Sequence, residues 1–206
     1  MSVFQSVDAV AAYLTDLPFI PSRRFVALTG APGAGKSTVA AALVARLPSS
    51  ALLPMDGFHL PQARLRELGL RERMGAHDTF DVDAFLLTLA DLEMSGGPVF
   101  APGFDRSVEE PVPDSIVIQP EVATVVVEGN YLLHDAGGWE KAGRLFDETF
   151  FVEVPDPIRR HRLIDRHVRY GKRPAEAEAW ALGTDEENAR LIAATASRAD
   201  HLIRLD

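Results

Sequence analysis

The stretch Phe25-Val26-Ala27-Leu28-Thr29-Gly30-Ala31-Pro32-Gly33-Ala34-Gly35-Lys36-Ser37-Thr38 decides how this chain is read. Its first five residues are apolar or β-branched and predict a buried strand. Its last residues begin an Ala-rich segment, Ser37–Leu47, that predicts a helix ending at Pro48. The connection matches G-x-x-x-x-G-K-[ST] at every required position, from Gly30 to Ser37. Glycines let the backbone curl so that successive N–H groups converge on phosphate oxygens. The helix start adds its partial positive end. Lys36 supplies a full charge on a long stem, and the Ser37 hydroxyl suits Mg²⁺. ATP with Mg²⁺ is thus the expected ligand pair, with Gly30, Ala31, Gly33, Ala34, Gly35, Lys36, Ser37 and Thr38 forming the nucleotide cradle.

Outward from this loop, strands and helices alternate. Ala51–Met55, Ala123–Val127, Glu148–Val154 and His201–Leu205 read as further strands. Ala123–Val127 lacks alternation, as expected of a strand buried on both faces. Helices are predicted over Ser6–Leu14, where Pro18 and Pro21 end the pattern, and over Pro61–Leu68. Others are expected from Asp81 or Asp83 to Met94, and over Pro157–Tyr170, Ala175–Leu182 and Glu186–Ala196. Residues 98–120 are rich in Pro and Gly and predict extended segments with turns. The sum is an α/β fold: a P-loop NTPase three-layer sandwich with a mainly parallel central sheet and a helical lid. One domain over 1–206 is expected, with an acceptor-site insertion at about 56–120 and a lid at about 157–173.

Bulk properties narrow the function classes. The chain has 206 residues, no cysteine and a net charge of −9. Disulfides and thiolate metal sites are excluded, and nucleic-acid binding is disfavoured. Met1–Tyr13 lacks a basic start followed by a long apolar run, and no apolar stretch approaches the ~18 residues needed to span a bilayer. A cytoplasmic protein with no membrane partner is expected.

Two more strands end in carboxylates. Glu128 closes Val125-Val126-Val127-Glu128-Gly129, where it can help hold Mg²⁺ with Ser37. Asp56, in Met55-Asp56-Gly57-Phe58-His59, follows the second strand and can accept a hydroxyl proton in phosphoryl transfer; its plainer reading is a turn or cap residue. Six arginines lie between Arg159 and Arg173. Arg162, Arg166 and Arg169 are spaced i, i+4, i+7 and share one helix face, suited to triphosphate; the plainer reading is a solvated face paired with acids such as Asp165.

With these motifs in hand, the chain resembles type I bacterial pantothenate kinase and the wider family that includes uridine kinase and phosphoribulokinase. The matching residues are Asp56-Gly57-Phe58 with Leu60-Pro61, then Leu65-Arg66-Glu67-Leu68-Gly69-Leu70. Met74-Gly75, Thr79-Phe80-Asp81, Pro120-Glu121 and Glu128-Gly129 follow. The resemblance covers roughly 25–170. It implies that Asp56 is the catalytic base, Glu128 the acid of the metal-side strand, and Arg166 the lid arginine that acts with Lys36. It also allows a homodimer. Two departures argue against pantothenate as acceptor: Arg106, in Phe104-Asp105-Arg106, stands where the family has a substrate-binding histidine, and the longer C-terminal part with its aromatic pocket is not matched. A nearer likeness is to short bacterial kinase-like proteins, some associated with fructose uptake. It rests on Met55–His59, Glu128–Leu133, Asn188-Ala189-Arg190-Leu191-Ile192 and Arg198-Ala199-Asp200, and it raises a sugar or polyol acceptor.

Acceptor-reading candidates are His59, Arg73, Phe80, Arg106 and Tyr131. Arginines suit an anionic group, His59 and Tyr131 suit hydroxyls, and Phe80 suits a carbon skeleton, though its plainer reading is the core. His77 and His134 receive no role. The expected activity is transfer of the ATP γ-phosphate to a hydroxyl of a small metabolite. The competing expectation is a regulatory nucleotide switch. A guanine-specific Asn-Lys-x-Asp motif would favour the switch, and both Lys141 and Lys172 lack the preceding Asn.

Overall fold

The apolar runs become the strands of a parallel sheet in the computed structural model, which describes all residues except Phe19, Pro21 and Asp206. Ser2–Phe4 (β1), Arg24–Thr29 (β2), Ser50–Pro54 (β3), Thr124–Glu128 (β6), Glu148–Glu153 (β7) and His201–Arg204 (β8) form this sheet in the order β1-β8-β7-β2-β6-β3. All five pairings are parallel. Val99–Asp105 (β4) and Glu110–Ile118 (β5) form a separate antiparallel hairpin, which fulfils the expectation of extended segments with turns there. The expectation that Pro21 helps end the first helix falls outside the described residues.

Side chains alternate through the sheet into two cores. Phe25, Ala27, Val125, Val127 and Phe151 join Phe85, Leu89, Leu92, Tyr131 and Trp139 on one face. Val26, Leu28, Val126, Phe150 and Val152 join Val10, Leu14, Val39 and Leu43 on the other. Helices Val7–Asp16 (α1) and Lys36–Val44 (α2) cover the second face, and Val82–Met94 (α4) covers the first. The result is the expected three layers. α1 starts at a Ser6 cap that accepts from the Ala9 amide at 3.1 Å, and α4 starts at an Asp81 cap that accepts from Ala84 at 2.9 Å. Among the described residues no helix is long and apolar enough to cross a membrane.

β1 was not expected from the sequence. Three residues carry no readable period, and their partner, β8, lies at the other end of the chain. Four more helices follow in the chain: Gln62–Glu67 (α3) after the β3 turn, Asp156–Arg169 (α5) after β7, then Pro174–Leu182 (α6) and Thr184–Ala193 (α7).

Candidate active site

Strands β2, β6 and β3 are neighbours, so their carboxyl ends lie side by side. Lys36 follows β2 as the first residue of α2, Glu128 is the last residue of β6, and Asp56 lies in the 3-10 turn Met55–Phe58 after β3. All three line one cavity of about 500 Å³. Gly33 and Gly35, Ser37 and Thr38 line it too. The Ser37 hydroxyl donates to Glu128 Oε2 at 3.2 Å, so two oxygen donors stand together at the start of α2. Lys36 Nζ donates to the Ala31 carbonyl at 3.2 Å.

The loop is tied to α5. Gly33 has φ +81, and a Cβ there would lie 2.6 Å from the Arg159 carbonyl and 2.8 Å from Leu163 Cγ on α5. Only glycine fits this left-handed, close-packed position. Gly57 serves the other side: a Cβ there would lie 2.0 Å from the Pro102 carbonyl. The β4–β5 hairpin therefore packs directly on the turn that carries Asp56. This contact explains how Arg106, just past β4, comes to form an ion pair with Asp56.

Burial sets the electrostatics. Burial pushes the Lys36 ammonium down to about 8, against the pull of Glu128 and Asp56. It pushes Glu128 above the usual carboxylate range, with Lys36 opposing. At Asp56, burial also pushes up, but the charges around it, Arg106 foremost with Arg166 and Lys36, outweigh it and leave the carboxyl low. Asp56 is therefore ionised at neutral pH. Burial likewise lowers His59, which stays neutral. Its Nδ1 faces the Asp56 carbonyl at 2.8 Å, and a carbonyl only accepts, so Nδ1 carries the proton. The ring lies between Phe80 and Phe104, with centroids 4.0 and 4.8 Å away.

The arginine cluster divides in two. Arg162, Arg166 and Arg169 face the cavity, as their spacing predicted. Arg159 and Arg160 instead bind Glu186 of α7 at 2.6 and 2.7 Å, and Arg159 also reaches Asp156 at 3.1 Å. They anchor α5 to α7.

Of the acceptor-reading candidates, His59, Phe80 and Arg106 line the cavity. Two expectations do not survive the geometry. Arg73 turns to solvent and pairs with Asp78 at 3.0 Å, while Arg71 reaches the cavity in its place. Tyr131 is fully buried, and its hydroxyl donates to the Gly75 carbonyl at 2.7 Å. It packs against Phe80 and Trp139, so it braces the wall from behind. Gly30, Ala31 and Ala34 shape the loop without lining the cavity. Sequence reasoning missed Arg71, Tyr170 and Trp180, which line the cavity together with Asp185 and Asn188. A signal existed for Asp185: it begins α7 beside Glu186, and both acids are buried.

Comparison with known proteins agrees with this arrangement. No family model matches the chain. An ATP-dependent kinase-like protein, notR', of Aspergillus versicolor is 39% identical over 145 residues, covering 66% of this chain and 84% of that protein. A protein of Schizosaccharomyces pombe named as a candidate uridine kinase is 34% identical, covering 76% of this chain and 72% of its own length. The crystal structure of a candidate fructose transport system kinase from Silicibacter superposes with a TM-score of 0.89 at 36% identity, covering 96% and 98% of the two chains. Pantothenate kinases of several bacteria match at 27–35% identity, and the chain spans about half their length. With that sheet order, that phosphate loop and these relatives, the chain belongs to the P-loop kinase family that takes in uridine-kinase-like, ATP-dependent-kinase-like and pantothenate kinase proteins.

Proposed function

We propose that this protein transfers the γ-phosphoryl group of ATP to a hydroxyl of a small metabolite, with Asp56 as the proton acceptor. The carrying observation is that Lys36, Glu128 and Asp56 stand at three adjacent strand ends around one cavity. The kinase relatives support ATP-dependent phosphotransfer to a small molecule. The relative named for fructose transport favours an acceptor with a sugar or polyol skeleton.

In this reading the loop amides and Lys36 hold the β- and γ-phosphates. Arg162 and Arg166 offset charge as the lid excludes water. The Ser37 hydroxyl and Glu128 carboxylate fit Mg²⁺, which prefers a few hard oxygen ligands beside phosphate oxygens. When bound, that ion would neutralise charge developing on the transferred phosphoryl group. The acceptor hydroxyl gives its proton to the Asp56 carboxylate. Its oxygen bonds to the γ-phosphorus, the bond to the β–γ bridging oxygen breaks, and that electron pair leaves on ADP. Asp56 can serve because it is ionised at neutral pH.

The test is ADP release with ATP and Mg²⁺, with and without pantothenate, nucleosides, sugars and hydroxy acids. Stimulation by an acceptor that disappears in Asp56→Asn, while ATP binding persists, supports the reading. Slow hydrolysis indifferent to every acceptor and to Asp56 would instead point to a nucleotide switch.

A further inference from the structure

The proposed base is not free. Arg106 donates a charged hydrogen bond to Asp56 Oδ2, and both side chains are only part-exposed, at 35% and 23%. A carboxylate held by guanidinium is a weak proton acceptor, because the cation favours the ionised form. A neutral polyol entering the cavity offers Arg106 nothing of equal strength. An acceptor that carries its own carboxylate or phosphate offers the guanidinium a replacement partner. Arg106 also lines an adjoining recess with Phe104, Asp105, Ser107, Val112, Ser115 and Tyr170, so its guanidinium has room to turn.

The rest of the acceptor side carries the same message. Glu109 faces two cations, Arg71 at 2.6 Å and Lys172 at 3.7 Å, so positive charge exceeds negative there. Lys172 rests 4.6 Å above the Trp180 ring, which lines the cavity. Asp185 is hydrogen-bonded to His167 Nε2 at 2.7 Å. His59 adds a requirement of its own. With Nδ1 donating to the Asp56 carbonyl, Nε2 can only accept, so it reads a hydroxyl of the incoming molecule.

We infer that the acceptor is an anionic hydroxylated metabolite, a small hydroxy acid or a phosphorylated polyol, and that Arg106 binds its anionic group and in doing so releases Asp56. This rests on the kinase reading above and names its substrate class. Arg106 is then the specificity-determining residue: it holds the base until an anion arrives.

The experiment uses three-carbon and six-carbon sets, each as neutral polyol, hydroxy acid and phosphate monoester, in the ADP-release assay. Charged hydrogen bonds are worth about 1.5–3 kcal/mol, so kcat/KM for one anionic member should exceed its neutral counterpart by about 10- to 100-fold. The carboxylate and phosphate arms decide which anion is read. In Arg106→Gln the advantage should shrink to within about threefold, chiefly through KM, as the lost bond is one of binding. The acid limb of kcat/KM should also move to higher pH, since Asp56 loses the guanidinium that lowers it. Arg106→Lys, which keeps the cation without the fork, should retain part of the preference. Neutral acceptors used as well as their anionic analogues, or a preference that survives Arg106→Gln, would overturn the inference and leave the kinase standing. No stimulation by any member, with ATP still bound, would remove the kinase reading and this inference with it.

Discussion

Replacing Lys36 with methionine should stabilise the nucleotide-free protein while abolishing its response to nucleotide. The Lys36 side chain is 6% exposed, and burial lowers its ammonium from 10.5 to about 8, even with Glu128 and Asp56 nearby. At about 1.4 kcal/mol per pH unit, that gap makes the charged form cost about 3 kcal/mol in the folded state. Methionine keeps the stem and drops the charge. The lost bond to the Ala31 carbonyl takes back about 1 kcal/mol. A net gain of about 2 kcal/mol corresponds to a Tm rise of about 4–8 °C for a chain of this size. The pH dependence supplies the sign. Between pH about 8 and 10.5 the folded state has shed a proton that the unfolded chain still holds, so wild-type stability rises with pH across that window. The methionine variant should lack this rise. Thermal unfolding from pH 7 to 10.5, with and without a non-hydrolysable ATP analogue, reads both effects. A methionine variant less stable than wild type without nucleotide, or a wild-type profile flat over that window, would refute the burial argument.

The same lysine should give kcat/KM for ATP an alkaline limb near pH 8 in the free enzyme, since the neutral amine no longer attracts phosphate; initial rates at low ATP measure it. Gly33→Ala should cost about 2–4 kcal/mol, combining left-handed strain with a clash against α5, whereas Gly69→Ala, at φ +69 with nothing near, should cost only about 1 kcal/mol; denaturant midpoints compare them, and equal costs would contradict the loop–lid contact. Glu186→Gln should lower Tm by roughly 6–12 °C by leaving Arg159 buried without its main partner, a loss of about 3 kcal/mol. Arg160 and Arg159 hold the Glu186 carboxyl down to about 2, so the wild type should lose this contribution as pH falls from about 4.5 toward 2, and the glutamine variant should show a flatter acid profile in the same melts.

The strands and helices were legible because their signals are local. Phe25–Thr29 and Ala123–Val127 announce buried strands by composition, and the Arg162–Arg166–Arg169 spacing announces a shared face that does line the cavity. The stretch 69–79 was not legible in this way. It has no period, so nothing in it tells Arg71, which enters the cavity, from Arg73, which turns to Asp78. Tyr131 misled for a related reason. A phenol beside Glu128 looks like a ligand group until its partner, the Gly75 carbonyl fifty-six residues away in sequence, is in place.

What the sequence determined alone is the nucleotide end. A phosphate cradle is made from consecutive backbone amides, and its glycines, lysine and hydroxyl must be written next to one another. What only the tertiary structure decided is the opposite wall of the cavity. That wall is lined by His59, Arg71, Arg106, Trp180 and Asn188, and the hairpin packs on the turn that carries Asp56 while α5 packs on the glycine loop. No local rule links those positions, because their proximity follows from which faces are buried rather than from their spacing along the chain.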